Sequence, residues 1–144
     1  MKHCYDYPRP ALAADCLIFG KKEDAWQVLL IERLHDPYRA YWALPGGFIN
    51  MDETAEEGAA RELFEETGLQ NISLEQLHTY SRVDRDPRGR TVTVAFIGFA
   101  DIQAVHPVAG DDAARLQWCP VSEVPPLAFD HDEMLHLALS KLKL

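Results

Sequence analysis

The sequence predicts an α/β (α+β) fold, a mixed β-sheet with helices packed on it, and three observations carry that expectation. Two apolar runs, Ala11 to Gly20 and Trp26 to Leu34, flank the polar stretch Lys21 to Asp24 and read as a strand hairpin. A segment rich in Ala, Glu, Arg and Leu, from Thr54 to Thr67, reads as a helix. Two β-rich runs follow it, and Asp130 to Leu142 closes the chain as an amphipathic helix. Strand and helix signals mixed over 144 residues, without repeat, low-complexity tract or linker, predict a single domain over residues 1–144.

Each element has a local reason. The Val-Leu-Leu-Ile run at 28–31 is dense enough for a buried strand, and the loop from His35 to Arg39 contains Pro37. Trp42-Ala43-Leu44 leads into Pro45-Gly46-Gly47, a chain-reversal signal. The Thr54–Thr67 helix stops at Gly68, where a C-cap glycine belongs. Leu77 to Val83 and Arg90 to Ala100 are expected to pair antiparallel across the turn Asp86-Pro87-Arg88-Gly89. Arg115 to Cys119 reads as a short strand and Val121 to Pro126 as a helical turn and bend. In the last helix Met134, Leu135, Ala138, Leu139 and Leu142 share one side, and Asp130 with Glu133 suggests an N-terminal capping box.

Composition excludes several classes. A formal net charge of −9 and a pI near 5.0 oppose nonspecific attraction to nucleic acid or to an anionic membrane. The apolar run from Ala11 to Phe19 contains Asp15 and reads as a strand rather than a signal sequence, and nothing approaches the length of a membrane span. Cys4, Cys16 and Cys119 are odd in number and lack metal-ligand spacing, so neither disulfides nor zinc are expected and a reducing cytoplasm is the expected location. The aromatic and proline-rich arm, with Tyr5, Tyr7, Pro8 and Pro10, either docks on a second subunit or packs on its own domain.

The dominant feature is Gly47, five residues, Glu53, seven residues, then Arg61-Glu62-Leu63-Phe64-Glu65-Glu66-Thr67-Gly68-Leu69. At roughly 100° per residue, Glu62, Glu65 and Glu66 fall within an arc of about 100° on one helix face. Like charges at that spacing repel by tenths of a kcal/mol even in water, and more when buried. The resolution is a hard cation, Mg²⁺ or Mn²⁺, which takes carboxylate oxygens, keeps waters and binds phosphate oxygens. Arg61 stands four residues from both Glu57 and Glu65 and is placed to orient carboxylates. Ala59, Ala60, Leu63 and Phe64 are expected to bury the helix against the sheet. A solvated acidic helix is the ordinary reading of such a segment. Seven fixed residues at background frequency, however, coincide with a probability on the order of 10⁻⁸ per starting position.

Gly47, Glu53, Arg61, Glu62, Glu65, Glu66 and Gly68, with Leu63 and Leu69 at aliphatic positions, resemble the signature of the Nudix hydrolase family. The resemblance implies an α/β/α sandwich with a mixed sheet between helices, and divalent metal, Mg²⁺ or Mn²⁺, held by Glu62, Glu65, Glu66 and the Gly46 carbonyl. It implies a pairing of Glu53 with Arg61, and attack of an activated water on a phosphorus of a pyrophosphate linkage. Glu62 or Glu65 is the expected general base, with Asp111 and Asp112 as loop candidates, Asp112 also as a metal ligand, and Glu123 behind them.

For the substrate, Arg82 to Arg90, the segment Trp42 to Gly47 and Ala128 to His131 are similar to ADP-ribose pyrophosphatase-like members. That implies a small-molecule nucleoside diphosphate substrate, ADP-ribose, cleaved to AMP and ribose 5-phosphate. Arg33, Arg82 and Arg85 are candidates to hold phosphates, and Phe129 either stacks on a base or is a core residue at the start of the last helix. Arg88 and Arg90 read instead as a solvated hairpin tip balanced by Asp84 and Asp86. Pro87, eighteen residues after Leu69, departs from the marker proline of larger ADP-ribose pyrophosphatases, which lies closer to the box. The absence of a Ser-Gln-Pro-Trp-Pro-Phe-Pro segment weighs against an NADH pyrophosphatase. Alternatives are a nucleoside triphosphate pyrophosphohydrolase and a non-catalytic ADP-ribose sensor. The sensor is expected to need a basic DNA-binding domain that these residues do not supply. Family habit implies a homodimer.

Overall fold

The computed structural model describes residues 2–103, 106–110 and 113–144. Among them run β1 (Ala11–Lys22), β2 (Ala25–Arg33), β3 (Trp42–Ala43), β4 (Gly46–Phe48), α1 (Ala55–Thr67), β5 (Glu75–Tyr80), β6 (Thr91–Phe99), β7 (Ala113–Pro120) and α2 (His131–Leu142). The sheet is mixed. β1 pairs parallel with β6 from Ala11↔Thr91 to Phe19↔Phe99, whereas β5–β6, β1–β2 and β2–β7 are antiparallel. A parallel neighbour requires a crossover, and the connection from β1 to β6 carries α1.

Alternation along the central strand sends side chains to two cores. Leu17 and Phe19 of β1 join Val28, Leu30 and the α2 residues Met134, Leu135 and Ala138 on one face. Cys16 and Ile18 join Leu29, Phe96 and the α1 residues Ala59 and Leu63 on the other. The sheet therefore lies between two helices, as expected. The buried side of α1 matches the expectation at Ala59 and Leu63 and departs from it elsewhere: Gly58 and Thr67 are buried as well, whereas Ala60 and Phe64 are exposed. Residues 59, 63 and 67 repeat every four positions and follow one helix stripe, which lies a step away from 60 and 64.

The hairpin of β1 and β2 splits, and that split makes the site. Near the turn the two strands pair from Lys22↔Ala25 to Phe19↔Val28. Further along they part, β2 taking β3 as its partner and β1 taking β4 at Ala13↔Phe48 to Asp15↔Gly46. The segment 42–48 is wedged between them, secured where the Cys16 N–H donates to the Pro45 carbonyl at 2.8 Å.

The remaining expectations shift at their edges. The connection between β5 and β6 spans residues 81–90, with the anticipated turn inside it, the Gly89 N–H donating to Asp86 O. The N-terminal arm packs on its own chain: the Tyr5 hydroxyl donates to Met51 Sδ at 3.5 Å and Arg9 lies over the Tyr5 ring. No helix among the described residues is long and apolar enough to cross a membrane. Cys4, Cys16 and Cys119 are all free thiols.

Candidate active site

The site begins at the N-terminus of α1. Thr54 and Glu57 form a reciprocal capping box, the Thr54 hydroxyl accepting from the Glu57 N–H at 3.0 Å and the Glu57 carboxylate from the Thr54 N–H at 2.9 Å. The helix ends on Gly68 at φ 77°, a left-handed conformation that glycine adopts without penalty. With both ends fixed and one stripe buried, the acidic face is presented rigidly toward β4.

Arg61 organises that face. Its Nη2 donates to Glu53 Oε1 at 2.7 Å and to the Phe48 carbonyl at 2.9 Å, and its Nε donates to Glu53 Oε2 at 3.0 Å. Its Nη1 reaches Glu62 Oε1 at 2.8 Å and Glu65 Oε2 at 3.1 Å. Glu53 also accepts from the Asn50 N–H at 2.7 Å. These hydrogen bonds, led by that of Arg61, hold the Glu53 carboxyl below the ordinary carboxylate range. The expected Glu53–Arg61 pair is thus present and fixes the loop before α1 to its middle.

Glu62 and Glu66 face the Gly46–Gly47 turn. The Gly46 N–H donates to Glu66 Oε2 at 3.3 Å. A side chain on Gly47 would put its Cβ 2.5 Å from the Glu62 carboxyl carbon, and one on Gly46 would overlap the Asp15 carboxylate and the Ala14 carbonyl. Both glycines are required by close approach. Glu62, Glu66, Gly46, Gly47 and Asp15 line a cleft of about 480 Å³. Glu65 does not line it; its side chain is 54% exposed and held outward by Arg61. Asp111 and Asp112 lie outside the described residues, and Glu123 does not line the cleft.

The donors fit a hard divalent cation. They are carboxylates, and the glycine turn leaves Glu62 the room that a side chain would fill. Among the described residues no three acidic, histidine or cysteine side chains converge on one point. Such an ion would therefore complete its shell with water and phosphate oxygens, as Mg²⁺ habitually does.

The opposite wall is basic and aromatic. Arg33 lies over the Phe129 ring at 4.9 Å, and its Nε donates to the Pro37 carbonyl at 2.9 Å. Burial, and then the neighbouring Arg88, lower its pKa from the ordinary value, although the group remains a cation. Phe129 reaches the cleft because the Ala128 N–H donates to Trp42 O at 2.9 Å and Phe129 itself takes a left-handed φ of 53°. Arg33 and Phe129 both line the cleft.

Arg85 meets the cleft from a buried position. Its side chain is 3% exposed, and Nε and Nη2 donate to Asp130 Oδ2 and Oδ1 at 2.8 and 2.6 Å, while Nη1 donates to Thr93 Oγ1 at 2.7 Å. Arg85 also lines the cleft, but these bonds engage its fork and tie the 81–90 loop to the start of α2. The same bond overturns the expected capping box of α2: Asp130 makes no side-chain cap because its carboxylate serves Arg85. Arg82 sits outside the cleft, paired with Glu133 and Asp84 on the surface. Arg90 donates to the Ser81 carbonyl at 2.7 Å and braces the loop.

Sequence reasoning missed three cleft residues. Arg88, expected at a solvated tip, lines the cleft with Asp86. Asp15 was read only as a break in an apolar strand. It accepts from His131 Nε2 at 3.1 Å, while His131 Nδ1 accepts from the Leu44 N–H at 3.1 Å. That pattern assigns the imidazole proton to Nε2. An acid in an otherwise apolar central strand was the signal available for Asp15.

The model of the NUDIX domain family matches residues 9–138. The ADP-ribose pyrophosphatase of Methanocaldococcus jannaschii is 40% identical over 129 residues, 90% of this chain and 73% of that protein. The ADPR responsive transcriptional repressor NtrR of Acinetobacter baylyi is 35% identical over 95% of this chain, which spans only 56% of the repressor. Among solved structures, the NUDIX domain of Shewanella oneidensis NrtR complexed with ADP ribose superposes with a TM-score of 0.89 at 32% identity. It covers 96% of this chain and 94% of that one.

Proposed function

Since this chain belongs to the NUDIX domain family, we propose that it is a divalent-metal-dependent pyrophosphohydrolase of a nucleoside diphosphate derivative, with ADP-ribose cleaved to AMP and ribose 5-phosphate. The observation that carries the reading is Glu62 and Glu66 facing the Gly46–Gly47 turn in a cleft whose far wall holds Arg33 and Phe129. The reading takes residues 1–144 as one catalytic domain. The similarity to the M. jannaschii pyrophosphatase and to the ADP-ribose-bound domain supports the choice of substrate.

In this proposal Glu62, Glu66 and the Gly46 carbonyl hold Mg²⁺ or Mn²⁺, which would lower the pKa of bound water and neutralise charge on the phosphates. Water adds to one phosphorus, the anhydride P–O bond breaks toward the other phosphate, and a carboxylate accepts the water's proton. Of the two expected bases, Glu62 lines the cleft and Glu65 does not, which favours Glu62. Glu65 acts through Arg61, keeping the carboxylate face in register. Arg33, with no acidic ion-pair partner among the described residues, is the cation for the substrate's phosphates.

The decisive experiment is a panel of ADP-ribose, NADH, diadenosine polyphosphates and nucleoside triphosphates, each with Mg²⁺ and with Mn²⁺. Preferential release of AMP from ADP-ribose is expected. Preference for triphosphates would replace this reading with nucleotide-pool cleansing. The likeness to the ADPR responsive repressor favours one further reading, a sensor, for which the expected result is tight ADP-ribose binding without turnover. The free thiols support a cytoplasmic location. A homodimer belongs to the same proposal, with exposed Phe64 beside half-buried Leu74 as apolar surface for a second copy, and light scattering tests it.

A further inference from the structure

His131 joins three parts of the cleft, and both nitrogens of its ring are engaged. Nε2 donates to Asp15 Oδ2 of β1 at 3.1 Å, and Nδ1 accepts from the Leu44 N–H at 3.1 Å. The ring also packs on Phe129, with centroids 5.5 Å apart. The residue is buried at the first position of α2 and lines the cleft. A neutral imidazole with its one donor and its one acceptor both bonded inside the protein has no lone pair left to take a proton from water. Its place beside the acidic face therefore points to a role other than that of a base.

That role follows from how the chain is fixed just before the glycine turn. Leu44 is buried, and Pro45 has no N–H, so residues 44–46 offer two backbone donors. The Leu44 N–H is bonded to His131, and the Gly46 N–H donates to Glu66 Oε2 at 3.3 Å. Between them the Pro45 carbonyl accepts from the Cys16 N–H at 2.8 Å. A buried N–H has to find an acceptor, and at Leu44 a side chain from α2 supplies it. Asp15 adds a steric stop, because its Oδ1 occupies the space that a side chain on Gly46 would need. One carboxylate thus holds the His131 ring with one oxygen and backs Gly46 with the other.

Resting on the pyrophosphohydrolase reading above, we propose that His131 is a positioning residue: through the Leu44 N–H it holds the Gly46 carbonyl in register with Glu62 and Glu66, and Asp15 fixes the tautomer that leaves Nδ1 an acceptor. A carboxylate that orients an imidazole through one nitrogen decides what the other nitrogen does. Mg²⁺ tolerates little departure from oxygen distances of about 2.1 Å, so the register of a carbonyl in its shell sets how tightly the ion is held. His131 acts on the ion only through the backbone of residues 44–46.

Asparagine at 131 places its carbonyl oxygen where Nδ1 stands, whereas leucine has a similar size and no acceptor, and neither reaches Asp15. The two variants share the loss at Asp15 and differ at the Leu44 N–H. Mn²⁺ binding by the full chain without substrate, read from the paramagnetic resonance of the free ion and corrected for binding that persists in Glu66→Gln, is compared in wild type, His131→Asn and His131→Leu. His131→Leu is expected to bind Mn²⁺ about ten-fold more weakly than His131→Asn. Melting is followed in parallel. Should His131→Leu unfold, His131→Gln takes its place, because its carbonyl stands one bond farther out, and the same weakening is expected. Equal Mn²⁺ affinity in the paired variants, or a wild type that binds no more Mn²⁺ than Glu66→Gln, would overturn the proposal. ADP-ribose turnover by wild type is measured separately. Turnover with equal affinities removes the role of His131 alone, and the expected order of affinities without turnover removes the enzymatic reading alone.

Discussion

Arg61 directs all three guanidinium nitrogens at neighbouring oxygens, four of them on Glu53, Glu62 and Glu65 and one on Phe48. The lowered pKa of Glu53 makes this a pH-dependent contribution to stability. A carboxyl depressed in the folded state stabilises it fully above the unfolded value, about 4.3, and the contribution is lost as pH falls through the folded value. Glu53→Gln is therefore expected to be less stable than wild type at neutral pH, with the gap closing below about pH 4. Urea unfolding of both proteins at several pH values measures it. Glu66→Gln removes charge from the Gly46 turn without emptying the core. Its turnover is expected to fall by roughly a hundred-fold or more with little change in melting, judged against losses seen around metal sites. Undiminished Mg²⁺-dependent hydrolysis would remove Glu66 from the ligand set.

The elements carry the site through their ends. α1 presents its acids because Thr54 caps one end and Gly68 turns the chain at the other. Thr54→Ala breaks the capping box and is expected to cost about 1 kcal/mol, a fall in melting temperature of a few degrees that calorimetry would register. At this scale the motif spacing was legible in the sequence, since the relative positions of Arg61 and the three glutamates depend on helix geometry alone. The buried stripe kept the expected Ala59 and Leu63, gained Thr67 and lost Ala60 and Phe64, because the facing β1 and β6 side chains select it. α2 likewise begins near its expected position, but the role of Asp130 depended on a partner 45 residues away.

At the scale of the molecule, the buried Arg85–Asp130 pair joins the 81–90 loop to the start of α2 and so supports Phe129 from below. Arg85→Ala leaves the Asp130 carboxylate buried without its cation and is expected to destabilise the fold by about 3–5 kcal/mol in denaturant unfolding. Replacing both partners with apolar residues, Arg85→Met with Asp130→Leu, is expected to recover much of that loss. Failure of the double variant to recover would show that the hydrogen bonds to Thr93 and Thr91, and not the charge pair, hold the loop.

By itself the sequence determined the carboxylate helix, its glycine stop at Gly68, the Pro45-Gly46-Gly47 turn and the mixed strand-and-helix class, because each is signalled by residues close together in the chain. Only the tertiary structure decided which arginines reach the cleft. Arg82, Arg85, Arg88 and Arg90 share one loop and one chemistry, and local rules cannot rank them. The split of β1 from β2 and the docking of α2 put Arg85 on Asp130, leave Arg82 on the surface and bring Arg88 between Phe48 and Phe129. A long side chain takes its role from the partner it meets, and these partners come from elements far apart in the chain.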